Sequence, residues 1–200
     1  MYTPEEKRLF RKLNTPQKIQ DFLNGLKFNF EKNGETCMSP RKVLKKKVAH
    51  CMEGAMLAAA VLEFHGQKPL ILDLRSKRPD DDHVVAVFKK FSCFGAISKT
   101  NHAVLRYREP VYRTVRELVL SYFHEYFLKN GKKTLREYSD VFDLSKLKID
   151  WRTAEKDLFE IPNLLDKLPH HSLLSKQQIK NLRKADAIEI KTGEIVEYKI

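Results

Sequence analysis

The sequence predicts an α+β fold in which a buried helix packs on an antiparallel sheet, and two observations support this prediction. The segment CMEGAMLAAAVLEFHG, from Cys51 to Gly66, is apolar on almost all sides and ends at a glycine, which is typical of a buried helix. Extended segments follow at 69–75, 83–90 and 94–98, and the second is dense in β-branched residues. The helix and the strands together give the predicted core.

The length of 200 residues and the apolar content of 42% are sufficient for one globular domain with a real core. We expect a core domain over residues 1–145 and a C-terminal appendage over residues 146–200. Within the appendage the pattern predicts a helix at 173–185 and a hairpin in AIEIKTGEIVEYKI, with its turn around Gly193.

Cysteine and histidine spacing argues against a metal centre. The cysteines are Cys37, Cys51 and Cys93, an odd number with no CxxC pair, so neither a disulfide framework nor a structural zinc site is indicated. The other histidines lack the spacing of HExxH or Cys/His sites. We therefore predict no metal and no cofactor, and we expect the thiols to be reduced.

Charge and hydropathy restrict the possible partners. No run of eighteen apolar residues occurs, and the N-terminal MYTPEEKRLFRKLN lacks the features of a secretory signal, so we expect no membrane span and a cytoplasmic location. The formal charge is +12, and residues 1–50 carry twelve Lys or Arg against five Asp or Glu. Such a basic segment is compatible with nucleic-acid binding, although it carries no known nucleic-acid motif.

Cys51 stands where the buried helix should begin, and this position favours a reactive thiol. The unpaired N–H groups and the dipole at a helix N-terminus stabilise a thiolate and lower its pKa. The alternative is that Cys51 is a small buried hydrophobic residue. His83 opens the second predicted strand, where its imidazole would serve as the general base of a Cys-His pair if folding brings it beside the sulfur.

A third residue should orient the His83 ring, and several positions are candidates. If Phe88 pairs with Cys93 around a four-residue loop, His83 lies opposite Ser98 on the same face of the sheet. Asn101 would take this role if the strand bends after Thr100. Either side chain would accept a hydrogen bond from the imidazole, but neither stabilises an imidazolium as a carboxylate does. A carboxylate from 80–82 is a further alternative, against an exposed acidic turn.

The stretch from Val48 to Asn101 resembles the transglutaminase-like cysteine enzymes, which have a papain-like fold. In that family a cysteine opens a helix, a histidine opens a strand, and an aspartate lies on the next strand. Here AHCMEGAMLAAAVLEFHGQKPLILDLR is similar to the nucleophile helix and the strand after it, and HVVAVF resembles the strand that bears the base. The chain departs from the pattern at Ser98, where the family has aspartate, and also at Ala49 and Val84.

The resemblance implies a cysteine hydrolase or acyltransferase that acts on an amide, peptide or isopeptide bond through a thioester. Its substrate would be a peptide, a protein or a small amide. Cys51 would be the nucleophile and His83 the base, with Ser98 or Asn101 as the third residue. The oxyanion would be held by the N–H of Cys51 and a second donor, for which Gln20 and Asn33 are candidates. The alternatives are a catalytically degenerate module used for binding or as a scaffold, and a basic nucleic-acid-binding protein.

Overall fold

The computed structural model describes residues 1–199, which form a mixed α+β fold with an antiparallel sheet. The helices among these residues are α1 (Pro4–Lys12), α2 (Pro16–Asn24), α3 (Pro40–Lys46), α4 (Cys51–Phe64), α5 (Val115–Phe123), α6 (Glu160–Leu165), α7 (Lys176–Lys180) and α8 (Ala187–Gly193). The strands are β1 (Lys27–Phe28), β2 (Val48–Ala49), β3 (Leu70–Ser76), β4 (His83–Lys90), β5 (Cys93–Ile97), β6 (Arg108–Tyr112), β7 (Leu135–Ser139), β8 (Phe142–Asp143) and β9 (His170–Ser172).

The main sheet has seven strands. Six of them follow the order β6-β5-β4-β3-β7-β9, and the seventh, β8, pairs with the first two residues of β3. Each pair of neighbouring strands in this sheet is antiparallel. The short strands β1 and β2 pair with each other in parallel, and β2 leads into α4. The β2–α4 junction and the start of β4 are the two places from which the candidate site is built.

Strand β4 lies inside the sheet, between β3 and β5, and apolar clusters cover both of its faces. Val84 and Ala86 belong to the apolar cluster that contains α4, whereas Val85 and Val87 belong to the cluster that contains α5. Side chains alternate between the two faces of a strand, so covering both faces requires the continuous apolar run seen here. Helix α4 is buried over its whole middle, from Met52 to Leu62, as the sequence predicts.

The β4–β5 hairpin differs from the expected register. Lys90 pairs with Cys93, so the loop has two residues and not four. Those loop residues, Phe91 and Ser92, have φ values of 54° and 61°, which are the left-handed values that a tight two-residue hairpin turn requires. The predicted pairing of Phe88 with Cys93 is therefore wrong, because Phe88 lies opposite Gly95. The shift is two residues, so each side chain keeps its predicted face.

The predicted C-terminal hairpin is also wrong. Residues Ala187–Gly193 form helix α8, and the segment after it continues away from the helix without folding back on it. Asp186 precedes the helix, and the Glu189 carboxylate accepts a hydrogen bond from the Asp186 N–H at 2.6 Å, which is half of a capping box. This local capping signal outweighs the β-propensity of the isoleucines. The helix predicted over 173–185 is reduced to α7, which begins after its N-cap at Ser175.

Residues beyond 145 pack against the rest of the chain. Trp151 and Leu158 are fully buried in the same apolar cluster as α4. The N–H of Leu158 donates to the carbonyl of Cys37 at 2.8 Å, which ties this segment to the residues before α3. The division at residue 145 stays a prediction. Among residues 1–199, no helix is long and apolar enough to cross a membrane.

Candidate active site

Cys51, His83 and Ser98 meet at one end of the main sheet. Cys51 is the first residue of α4, His83 is the first residue of β4, and Ser98 directly follows β5. A cleft of about 850 Å³ opens here, and its walls include Cys51, His50, His83 and Asn101. Three predicted site residues, Cys51, His83 and Asn101, therefore line a common cavity, and Ser98 lies behind His83.

The hydrogen bonds around His83 determine which ring nitrogen carries the proton. Its Nε2 lies 2.7 Å from the Ser98 hydroxyl, and that hydroxyl lies 2.6 Å from the carbonyl oxygen of Leu105. A carbonyl only accepts, so Ser98 donates its single hydrogen to Leu105. The Ser98 oxygen must then accept from His83, which assigns a proton to Nε2. Nδ1 is consequently the nitrogen available to the thiol.

Gln20 holds Ser98 in place from the side opposite His83. The Gln20 amide oxygen accepts from the Ser98 N–H at 2.9 Å, and its amide nitrogen donates to the Ser98 carbonyl at 2.8 Å. A second bond from this nitrogen to Asn24 uses the remaining donor. Gln20 thus has no free donor for an oxyanion, and Asn33 is exposed and does not line the cleft. The structure contradicts both candidates for the second oxyanion donor.

The Cys51 thiol is half-buried and has two imidazole partners, His83 and His50. Burial alone would raise the pKa of this thiol. The hydrogen bonds and positive charges of His50 and His83 outweigh burial and lower the pKa to about 5. The thiol is therefore ionised at neutral pH. Burial instead raises the pKa of Cys37 to about 12.

His50 is the site residue that the sequence did not reveal. It is the N-cap of α4, and its Nε2 lies 3.0 Å from the carbonyl oxygen of Thr36, to which it donates. Burial would lower its pKa, but the contact with Cys51 and the nearby Glu53 raise the pKa to about 9. His50 thus places a second positive charge beside the sulfur.

The carboxylate of Glu53 organises the wall of the cleft around His50. Glu53 is completely buried, and each of its oxygens accepts hydrogen bonds from neighbouring groups. The donors are the His50 N–H (3.1 Å), the Met38 N–H (3.0 Å), the Thr36 hydroxyl (2.8 Å) and the Asn29 amide (3.1 Å). The loop before α3 and the N-terminus of α4 are therefore joined through one carboxylate.

Asn101 does not contact His83, although it lines the same cleft. Its side-chain amide is fully used by the backbone of Tyr198, donating to the carbonyl and accepting from the N–H, each at 2.9 Å. Of the two predicted third residues, only Ser98 reaches the imidazole. The acidic residues before β4 are also engaged elsewhere: Asp82 accepts the Ser76 N–H at 2.7 Å, and Asp80 accepts from the Thr134 hydroxyl.

Gly54 allows α4 to approach the end of β5 closely. A Cβ atom at this position would lie 2.4 Å from the Lys99 Cβ. Lys99 is buried and donates to the Leu26 carbonyl at 2.6 Å, so it has little room to move. Because Gly54 is one turn from Cys51, this close contact keeps the sulfur near the Ser98 end of the sheet.

We expect Gly54→Ala to lower the free energy of unfolding by about 1–3 kcal/mol, because the added methyl group overpacks this contact. Thermal denaturation measures the change. Gly25→Ala is the matched control, since its nearest atom would lie at an ordinary 3.4 Å. Equal stability of the two variants would contradict this account of the packing.

Among residues 1–199, no group of three or more His, Cys, Asp or Glu side chains is arranged to hold a metal ion. Comparison of the chain with models of known protein families gives no match, and a search of the curated proteins gives none either.

Proposed function

We propose that this chain is a cysteine hydrolase or acyltransferase that acts on an amide, peptide or isopeptide bond, with Cys51 as nucleophile and His83 as general acid and base. The single observation that carries the proposal is the arrangement of a half-buried thiol at a helix N-terminus in one cleft with an imidazole whose far nitrogen is held by Ser98. Nucleophilic cysteine catalysis needs these elements: a thiolate, a base and a group that orients the base. The resemblance to the transglutaminase-like enzymes is part of the same proposal.

The first half-reaction forms a thioester. The Cys51 thiolate attacks the carbonyl carbon of the substrate, a C–S bond forms, and the carbonyl electron pair moves to the oxygen. The oxyanion then collapses, the C–N bond breaks, and His83 gives its Nδ1 proton to the leaving amine. The N–H of Cys51 lies in the first turn of α4, where it has no intrahelical acceptor, so it suits the developing negative charge.

The second half-reaction regenerates the thiolate. Water or an amine gives a proton to His83 and attacks the thioester carbonyl, and the C–S bond breaks. Ser98 keeps the His83 ring in position through both half-reactions, because its hydroxyl is itself fixed by Leu105. A serine is neutral and stabilises the imidazolium less than a carboxylate would. His50 compensates in part, since its charge stabilises the thiolate directly.

A catalytically degenerate module is the second candidate function, and the neutral Ser98 in place of an aspartate favours it. Nucleic-acid binding is less well supported, because several basic side chains of the N-terminal part are already paired with acidic ones. The pairs are Arg41 with Glu6, Lys42 with Asp157 and Lys45 with Glu155.

Selective alkylation tests the proposal. At pH 6 we expect iodoacetamide to modify Cys51 about tenfold faster than an unperturbed model thiol and faster than Cys93, because a ~300-fold gain in thiolate fraction over that model thiol is partly offset by the lower nucleophilicity of a low-pKa thiolate. Cys37 should remain unmodified because burial raises its pKa to about 12. Mass spectrometry of the digested protein gives the rate at each cysteine. Equal, slow modification of all three would contradict the enzyme proposal and favour the degenerate module.

A further inference from the structure

Residues 194–198, here called the strap, follow α8 and pair with residues 101–103 beside the candidate site. The N–H of Ala103 donates to the Ile195 carbonyl at 2.9 Å, and the N–H of Glu197 donates to the Asn101 carbonyl at 2.8 Å. His102 and Val196 form an antiparallel bridge between these two bonds. The backbone of residues 101–103, here called the docking edge, therefore pairs with the strap as one strand pairs with another.

The side chain of Asn101 extends this pairing. Its amide donates to the Tyr198 carbonyl and accepts from the Tyr198 N–H, both at 2.9 Å. These bonds involve only the peptide groups of Tyr198, so they would form with any residue at that position. The docking edge thus recognises an extended backbone and places little demand on the sequence that it binds.

The docking edge belongs to the same cleft as the thiol. Asn101 and His102 line this cleft together with Cys51 and His83, and Val196 of the strap forms part of its wall. An extended segment on the docking edge therefore runs along the cavity that contains the nucleophile. A substrate chain bound there would share the cavity of the nucleophile, as positioning a carbonyl for attack requires.

The strap is held by few contacts other than these hydrogen bonds. Helix α8, which leads into it, has no buried residue, and the side chains of Ile188 and Ile195 are 72% and 59% exposed. The ion pair between Arg106 and Glu197, at 2.8 Å, is partly exposed on both sides, so solvent screens it. A segment with so little buried apolar surface opens more easily than the core.

We infer that the docking edge, residues 101–103, binds an extended peptide segment of the substrate, and that the strap occupies this surface in the free chain. The inference rests on the proposed function for the identity of the bound segment as substrate. A peptide substrate must then displace the strap, and strap opening limits access to the site.

Binding of a peptide copy of the strap tests the docking edge without any chemistry at the thiol. The probe is a fluorescein-labelled peptide with the sequence of residues 193–199, and its anisotropy is measured with the full chain carrying Cys51→Ser. Glu197→Pro removes both the N–H donor and the carboxylate, whereas the matched control Glu197→Ala removes the carboxylate alone. We expect the Glu197→Pro variant to bind the peptide about tenfold more tightly than the chain whose strap is unmodified. The alanine variant should change binding about twofold.

Asn101→Ala in the Glu197→Pro background should abolish the gain, because the paired bonds to the peptide backbone are lost. Equal peptide affinity of the Glu197→Pro and Glu197→Ala variants would overturn the inference. With Cys51 restored in the Glu197→Pro chain, bound peptide should slow modification of Cys51 by a bulky maleimide at least about fivefold at saturation. Binding without protection would overturn the substrate role of the docking edge. A Cys51 that is unreactive even to iodoacetamide would contradict the proposed function while leaving the binding result intact.

Discussion

Replacing His83 with alanine is expected to move the pKa of Cys51 upward by about 1–3 pH units, since an imidazolium next to a thiolate lowers the thiol pKa by that order. Acyl transfer should fall by about 10²–10⁴-fold, the usual contribution of a positioned acid and base. The pKa of the native thiol is about 5, so the rate of its alkylation should rise with pH through that value and then level. The pH dependence of iodoacetamide modification at Cys51 measures the shift.

His50 determines how large the shift will be. It also contacts the sulfur, so the His83→Ala variant keeps one positive neighbour and its thiol should not return fully to an ordinary pKa. The same substitution at His124, which is exposed after α5 and does not line the cleft, is the control. If the alkylation midpoint stays near pH 5 in the His83→Ala variant, His83 does not support the thiolate and the proposed mechanism fails.

Local pattern was sufficient to predict the elements that position the site. The apolar run after Cys51 and the β-branched run after His83 each predict an element whose first residue is the functional one, and both elements begin there in the structure. The sequence predicts the contact between His83 and Ser98 from a register that the structure does not have. The register is shifted by two residues, and the contact survives because a two-residue shift preserves the face of the strand.

The surroundings of His50 could not be predicted, because they depend on contacts between distant parts of the chain. Glu53 lies three residues after His50, which is the spacing of a capping box and the one local signal that was available. The donors from Thr36 and Met38, however, reach Glu53 through an irregular loop without a periodic pattern. Sequence spacing alone gives no indication that this loop and α4 share a carboxylate.

The strap likewise has no signal in the local sequence. Gly193 lies between two short apolar stretches and therefore suggests the turn of a local hairpin. The partner of the second stretch is instead the docking edge, more than ninety residues earlier in the chain. Whether two distant segments pair depends on where the fold places each of them, and the β-propensity of either segment does not carry that information.

Replacing Glu53 with alanine should produce the largest loss of stability, about 3–5 kcal/mol, because removing a buried, fully bonded carboxylate leaves its partners without acceptors. The four donors that lose their acceptor come from the loop before α3 and from the start of α4. Because these two segments hold His50 against the sulfur, we also expect the alkylation midpoint of Cys51 to rise.

Urea denaturation measures the loss of stability caused by Glu53→Ala. Glu63→Ala is the matched control, because Glu63 is on the same helix but its pair with Arg152 stays partly exposed, where removal should cost about 1–2 kcal/mol. Glu53→Gln separates shape from charge: it keeps the volume but replaces one acceptor oxygen by a donor facing other donors, so it should lie between the alanine variant and the native chain. Comparable losses for Glu53→Ala and Glu63→Ala would show that the buried carboxylate does not hold the wall of the cleft together.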